Sequence, residues 1–123
     1  MKITEFMVGD WVDFYHPYEP EKKIVTRHLV TEIFECGLVG ISNHPNPVHA
    51  DHIEPVKITP EILEKNLSTE PQIAWCVGWN KKDDIHVEIK REDLNAAFYG
   101  VVDFVHQLQH ALRLCGIEKE IEL

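Results

Sequence analysis

The first half of the chain alternates hydrophobic and polar residues in short runs, which is the pattern of β-strands. Val8, Val12 and Phe14 are the hydrophobic positions of the first run. Residues 24–34 alternate over a longer stretch and are rich in β-branched side chains, which predicts a long or bulged strand. A run of short strands that ends in a helical turn is typical of an SH3-like barrel, which we expect over residues 1–58.

The second half combines helical and strand patterns. Thr59 is followed by a proline and a glutamate, which predicts a helix over 60–65 that ends near Asn66. Residues 72–79 and 84–90 predict two strands joined by a hairpin-like turn, with His86 facing outward from the second strand. Residues 94–100 fit a strand or a helix equally well.

The last helix has the clearest pattern, with Asp103 as its predicted N-cap and Gly116 as the residue that ends it. At the helical repeat, one hydrophobic stripe is formed by Val101, Val105, Leu108, Leu112 and Cys115. His106, His110 and Arg113 fall on roughly the opposite face. The charged tail at 118–123 either frays or docks through its aliphatic residues. Together these elements predict a single α+β domain over 1–123, with a barrel part at 1–58 and a helix plus a β-β-α unit at 59–123.

The net charge of the chain limits the kinds of molecule that it is expected to bind. The chain has 12 basic and 21 acidic side chains, for a net charge of −9. Nucleic-acid binding, which the barrel type suggests, is opposed by that charge because nucleic acid is a polyanion. A protein, a peptide or a small molecule fits better. No signal peptide or apolar stretch long enough for a membrane span is present, so we expect a cytoplasmic protein. The three cysteines form no C-x-x-C pair and are expected to be buried free thiols.

The last predicted helix carries two histidines four residues apart, His106 and His110. This is the spacing of the zinc-binding histidines in a zinc-protease helix. Those enzymes have a glutamate after the first histidine, and this chain has Gln107, whose amide cannot accept a proton. Protease chemistry is therefore disfavoured, and a non-catalytic metal site or a metal-dependent hydrolase remains the alternative. A second candidate group in a loop is made of His44, His49 and His52, with Asp51 between them.

Aromatic residues cluster near the start of the chain. Trp11 and Phe14 lie within a predicted strand and are assigned to the core. Tyr15 and Tyr18 lie at its end and in the following proline-containing loop, so we expect them to be exposed. In SH3-like barrels this region can bind extended peptides through aromatic side chains. Tyr15 and Tyr18 are therefore candidate binding residues.

Three segments carry a resemblance: G-D-W-V at 9–12, P-V-K-I-T-P-E-I-L-E-K-N at 55–66 and F-V-H-Q-L-Q at 104–109. In this order they resemble a family of short uncharacterised proteins of gut anaerobes and of their phages and integrated elements. The resemblance implies no catalytic residue and no cofactor. It singles out His106, Gln107 and Gln109, and it leaves His110 outside the pattern.

These observations predict a non-enzymatic binding or assembly module of phage or mobile-element origin. Its partner is a protein or a second copy of the chain, and its candidate binding residues are Tyr15, Tyr18, His106, Gln107 and Gln109. For the last helix the specific expectation is structural, namely that His106 or Gln109 hydrogen-bonds backbone where the helix meets the sheet.

Overall fold

A computed structural model describes residues 6–17, 25–78, 82–90 and 98–123. The chain is divided into two compact units, Met1–Val56 and Lys57–Leu123. Antiparallel sheets dominate both units, and two α-helices are present among the described residues. The predicted α+β class is confirmed. Neither described helix has the length and apolar character that crossing a membrane requires.

The first unit is an antiparallel sheet with the strand order β4-β3-β2-β1-β5. Its strands are β1 (Trp11–Tyr15), β2 (Val25–Ile33), β3 (Leu38–Ile41), β4 (Val48–His49) and β5 (Ile53–Pro55). A single 3-10 turn, Ala50–His52, precedes β5. Among the described residues no ladder joins β4 to β5, so the SH3-like barrel stays a prediction.

Strand β2 is long and bulged, which agrees with the long or bulged strand predicted from the alternation at 24–34. Its pairing with β3 shifts register between Val30 and Glu32, while its first part pairs with β1. Gly40 lies opposite the shift, where an added Cβ would come within 2.9 Å of the Thr31 hydroxyl. A bulge bends a strand and increases its twist, so one strand can pair with two neighbours that lie in different directions. Inward-facing side chains of these strands, together with Phe6 from the segment before β1, form the core of the unit: Phe6, Val12, Phe14, Val30, Val39, Ile41, Val48 and Ile53.

A tight turn introduces β1. Gly9 has φ of +93°, a conformation that favours glycine, and the buried Asp10 accepts a 2.8 Å hydrogen bond from the Met7 N–H. The Gly9 N–H donates to the Val30 carbonyl, and the Val30 N–H donates to the Asp10 carbonyl. The Gly-Asp pair therefore fixes how the chain enters the sheet.

The second unit contains two helices and a three-stranded antiparallel sheet with the order β6-β7-β8. Its elements are α1 (Pro60–Leu67), β6 (Ile73–Val77), β7 (Ile85–Ile89), β8 (Phe98–Val101) and α2 (Val105–Leu114). Ile85, Val87 and Ile89 of β7 are buried, which confirms their predicted core-facing positions. The ambiguous segment 94–100 ends in strand β8, and its residues 94–97 lie outside the described residues.

The helices begin and end close to the predicted residues, with two differences. The Thr59 hydroxyl accepts from the Ile62 N–H at 3.3 Å, as predicted, but α1 continues through Leu67 because Asn66 stays helical. Helix α2 begins one residue later than expected, with Phe104 in place of Asp103 as its N-cap.

The other end of α2 is closed by Gly116, as predicted. Gly116 has φ of +72°, and the Ile117 N–H donates to the Leu112 carbonyl at 2.9 Å. The Gly116 N–H donates to the Arg113 carbonyl at 3.0 Å. This pair of bonds is a Schellman motif, which satisfies the last helical carbonyls.

Two further expectations are wrong. Val101, assigned to the stripe of the last helix, belongs to β8 and is 46% exposed. Cys36 and Cys76 are exposed, and only Cys115 is buried. Cys36 lies in the turn between β2 and β3, and Cys76 points away from the core on an outer strand of its sheet, so an apolar sequence environment did not predict burial.

Candidate functional site

The predicted binding residues are divided between the two units. Tyr15 ends β1 in the first unit and is 40% exposed, as expected. Tyr18 lies outside the described residues. Trp11, assigned to the core, is half-buried instead, because it shares the outer face of β1 with Tyr15, whereas Phe14 is buried on the opposite face as predicted.

Charged side chains surround Tyr15 on that outer face. The register places Asp13 of β1 between Arg27 of β2 and Glu54 of β5, and Arg27 Nε lies 3.4 Å from Asp13 Oδ1. Burial raises the pKa of Asp13, Arg27 opposes that rise, and Glu54 adds to it. Burial and the hydrogen bond and charge of Glu54 raise the pKa of the Tyr15 phenol. This surface is therefore mixed in character, with an ion pair beside an aromatic ring.

Gln107 on α2 closes the first turn of its own helix. Its Oε1 accepts hydrogen bonds from the backbone N–H groups of Asp103 at 2.8 Å and of Phe104 at 3.1 Å. A glutamine at the third helical position that reaches back to the start of the helix is one half of a capping box. The side chain is exposed, yet its amide oxygen is already occupied by the backbone.

His106 and Gln109 are buried, with 4% and 7% of their surfaces exposed. The sequence placed His106 roughly opposite the hydrophobic stripe, and the structure buries it there. The buried side of α2 is wider than one hydrophobic stripe and includes both of these side chains. The His106 ring stacks on Phe104 at 5.9 Å and meets His110 edge-on at 5.6 Å. The expected backbone hydrogen bond of His106 or Gln109 stays a prediction, while Gln107 makes such bonds.

The histidines of the two candidate metal groups contact other rings. His44 packs edge-on against Phe14 at 5.3 Å, while His49 contacts His52 at 6.2 Å. Within the described residues, no group of three or more His, Cys, Asp or Glu side chains is arranged to hold a metal ion.

A chain of hydrogen bonds on the core side of the first sheet was not anticipated. His16 Nε2 lies 3.0 Å from Thr26 Oγ1, which lies 2.6 Å from His28 Nε2, and His28 Nδ1 contacts the Ser42 carbonyl. His28 is 8% exposed. The signal was present in the sequence, because Thr26 and His28 alternate in phase with the buried Val30. These polar groups satisfy one another, which is the usual condition for burying them.

Several exposed side chains of the second sheet lie on the face that points away from its core. We call it the His86 face, and it consists of Ala74, Cys76, His86, Glu88, Tyr99 and Val101. The register arranges these six side chains in two rows across the sheet, Cys76–His86–Val101 and Ala74–Glu88–Tyr99. Tyr99 is 64% exposed and Val101 is 46% exposed, and Ala74 and Cys76 are exposed as well.

His86 is the exception on its own face. It points outward, as predicted, yet only 5% of it is exposed, and its ring lies 6.1 Å from that of Tyr99. Among the described residues neither ring nitrogen has a hydrogen-bond partner. A buried polar atom without a partner costs about 1–3 kcal/mol. Glu88, the other polar group of the face, is half-buried and lies 3.6 Å from Lys90 Nζ.

Comparisons of the chain with protein-family models, with curated protein sequences and with solved structures give no match.

Proposed function

We propose that this protein is a non-enzymatic assembly module that binds a second copy of itself through the His86 face. The observation that carries the proposal is the exposure of Tyr99 and Val101, which alternate on one strand and lie on the side of the sheet that points away from its core. Tyrosine is enriched in protein interfaces because its ring contributes a large contact area while its hydroxyl can bind a polar group. Exposed Cys76 and Ala74 extend the apolar surface to the opposite edge of the sheet.

The arrangement of exposed apolar side chains on the face favours a second copy over an unrelated protein. In a symmetric dimer, a two-fold axis that runs across the strands exchanges the two rows of the face. Val101 of one copy then lies opposite Tyr99 of the other, and Cys76 lies opposite Ala74. The face is thus self-complementary, because exposed apolar side chains of one copy meet exposed apolar side chains of the other.

The rest of the molecule sets the expected salt dependence. Two copies that each carry a net charge of −9 repel each other, and added salt screens that repulsion. Association through an apolar face should therefore strengthen as salt rises from 50 mM to 500 mM. An interface held mainly by exposed ion pairs would weaken over the same range.

Sedimentation equilibrium under reducing conditions tests the proposal, since exposed Cys76 could otherwise form intermolecular disulfides. We expect the wild-type chain to dimerise and the Tyr99→Ser variant to be monomeric at the same concentration. Tyr15→Ser is the matched control, because Tyr15 is an exposed strand tyrosine of the other unit. A wild-type chain that stays monomeric at high salt would contradict the proposal, and so would a dimer that survives Tyr99→Ser.

The proposal extends to the architecture and origin of the module. We propose that the first unit is an SH3-like barrel, which is supported by its strand order, its bulged β2 and the 3-10 turn before β5. The resemblance of segments 9–12, 55–66 and 104–109 supports an origin in a phage or mobile element. An experimental structure of the first unit tests the architecture directly, since a closed barrel requires β5 and β4 to approach each other at the open edge.

A further inference from the structure

Cys76 and His86 are cross-strand partners on the His86 face. The register of β6 and β7 pairs the two residues directly, so their side chains project from the same side of the sheet. Directly paired residues have Cβ atoms about 4.5–5.5 Å apart. Rotation about the Cα–Cβ bond of Cys76 therefore carries its thiol towards the imidazole or away from it.

The two side chains have complementary properties. Cys76 is an exposed free thiol, whereas His86 is 5% exposed. Neither nitrogen of the His86 ring has a hydrogen-bond partner within the described part of the chain. A neutral imidazole has one nitrogen with a lone pair that can accept a proton. The pair thus places an unoccupied proton acceptor beside a thiol that small molecules can reach.

The residues around His86 make this thiol the group that the imidazole can act on. His86 has one directly paired residue on each neighbouring strand, Cys76 on β6 and Val101 on β8. Valine has no proton that a base can remove, whereas a thiol has one. A carboxylate oxygen of Glu88, the next residue on this side of β7, lies 3.6 Å from Lys90 Nζ.

We propose that Cys76 is a thiol-modification site that His86 activates and that takes a small disulfide as its substrate. As the Cys76 sulfur attacks one sulfur of the disulfide, the proton of the thiol passes to the lone pair of the His86 ring. A bond forms between the two sulfurs, the S–S bond of the small disulfide breaks, and the departing thiolate takes the proton back from His86. The products are a mixed disulfide on Cys76 and one small thiol, so the small disulfide is the only oxidant that the step requires.

This site goes beyond the proposed dimer and does not depend on it. The reaction belongs to the single chain, and it is measured in dilute solution, where the His86 face is open. A chain that never dimerises should still react at Cys76. A chain that dimerises but shows no enhanced reaction at Cys76 would overturn the modification site alone.

The experiment follows the reaction of the reduced chain with hydroxyethyl disulfide, and mass spectrometry of the digested protein gives the extent at each cysteine. The probe is neutral, so the net charge of −9 does not repel it. Cys36 is the matched control, because it is also exposed but lies in the turn between β2 and β3. We expect Cys76 to react at least about tenfold faster than Cys36. Equal rates at the two cysteines would overturn the proposal.

Two variants separate a proton acceptor from a packing residue. His86→Gln keeps a polar side chain without a basic nitrogen, so Cys76 should then react at a rate close to that of Cys36. His86→Ala should slow Cys76 as well, and free imidazole in the buffer should restore the lost rate at Cys76 with a smaller effect on Cys36. An unchanged Cys76 rate in His86→Gln, or a loss in His86→Ala that imidazole does not restore, would refute the role of His86.

The third cysteine reports whether each variant is folded. Cys115 is buried, so it reacts only where the chain opens. If rapid reaction at Cys115 shows that a His86 variant is unfolded, the comparison of Cys76 with Cys36 in the wild-type chain still decides for or against the site.

Discussion

Replacing Gln107 tests whether this residue is a binding group or a helix cap. In the structure its amide oxygen accepts from two backbone N–H groups, those of Asp103 and Phe104, which have no acceptor within the helix. Gln107→Ala removes that acceptor, and loss of such a cap costs about 1 kcal/mol. Because the site is exposed and water replaces part of the loss, we expect a fall of roughly 4 °C in the unfolding midpoint.

The matched variant is Gln107→Glu. The new carboxylate keeps an acceptor at the same position and adds a negative charge at the helix N-terminus, which is stabilising by about 0.3–1 kcal/mol. At neutral pH we therefore expect Gln107→Glu to be the most stable of the three proteins and Gln107→Ala the least stable, with the wild type between them. Urea denaturation measures the three free energies of unfolding. An alanine variant as stable as wild type would refute the cap assignment.

The same variant completes the zinc-protease spacing H-E-x-x-H over residues 106–110. We expect no zinc binding, because the His106 ring is buried against Phe104 and the carboxylate is directed to the backbone at 103–104. The measurement is the unfolding midpoint with and without equimolar zinc. Zinc could instead raise the unfolding midpoint of the Gln107→Glu variant, and adding His110→Ala could remove that rise. This result would show that the burial of His106 does not prevent metal binding.

Two other substitutions test packing and charge. Leu108→Ala should lower the free energy of unfolding by about 2–5 kcal/mol, because Leu108 is fully buried. Leu114 lies on the same helix but is 83% exposed, so Leu114→Ala should change the free energy of unfolding by less than about 0.5 kcal/mol. Similar losses in the two variants would contradict the assignment of the buried face of α2. Asp13→Asn should stabilise the protein at pH 7, because a folded-state pKa raised above 3.8 means that the half-buried carboxylate costs stability once it is ionised. That advantage should shrink as the pH falls through the raised pKa and vanish below 3.8, and an advantage that stays constant from pH 7 to pH 3 would show that it has another source.

Helices and strands were predicted correctly where a single local sequence pattern determines them. Alternation placed Ile85, Val87 and Ile89 on the buried side of β7, and the hydroxyl of Thr59 caps α1 as its sequence context indicated. The predicted end of α1 was wrong because a contact with a residue far along the sequence is involved. Asn66 favours a helix end on its own, but it stays helical because its amide pairs with the backbone of Glu122, far along the sequence.

The candidate site was harder to predict because burial of a polar side chain depends on what packs over it. His106 belongs to the polar side of a helical wheel, yet the buried side of α2 extends around to it. His86 alternates outward as expected, yet only 5% of it is exposed. Periodicity describes the direction of a side chain from its own element, and it carries no information about the elements beside it.

Segments 9–12, 55–66 and 104–109 have identifiable structural roles in this chain. Gly9 and Asp10 make the turn into β1, Thr59 and Asn66 fix the start of α1 and the path of residues 117–123, and Gln107 caps α2. None of these tasks places a reactive group on an open surface. Tyr99 and Val101, which carry the proposed interface, lie outside those segments, and both are exposed.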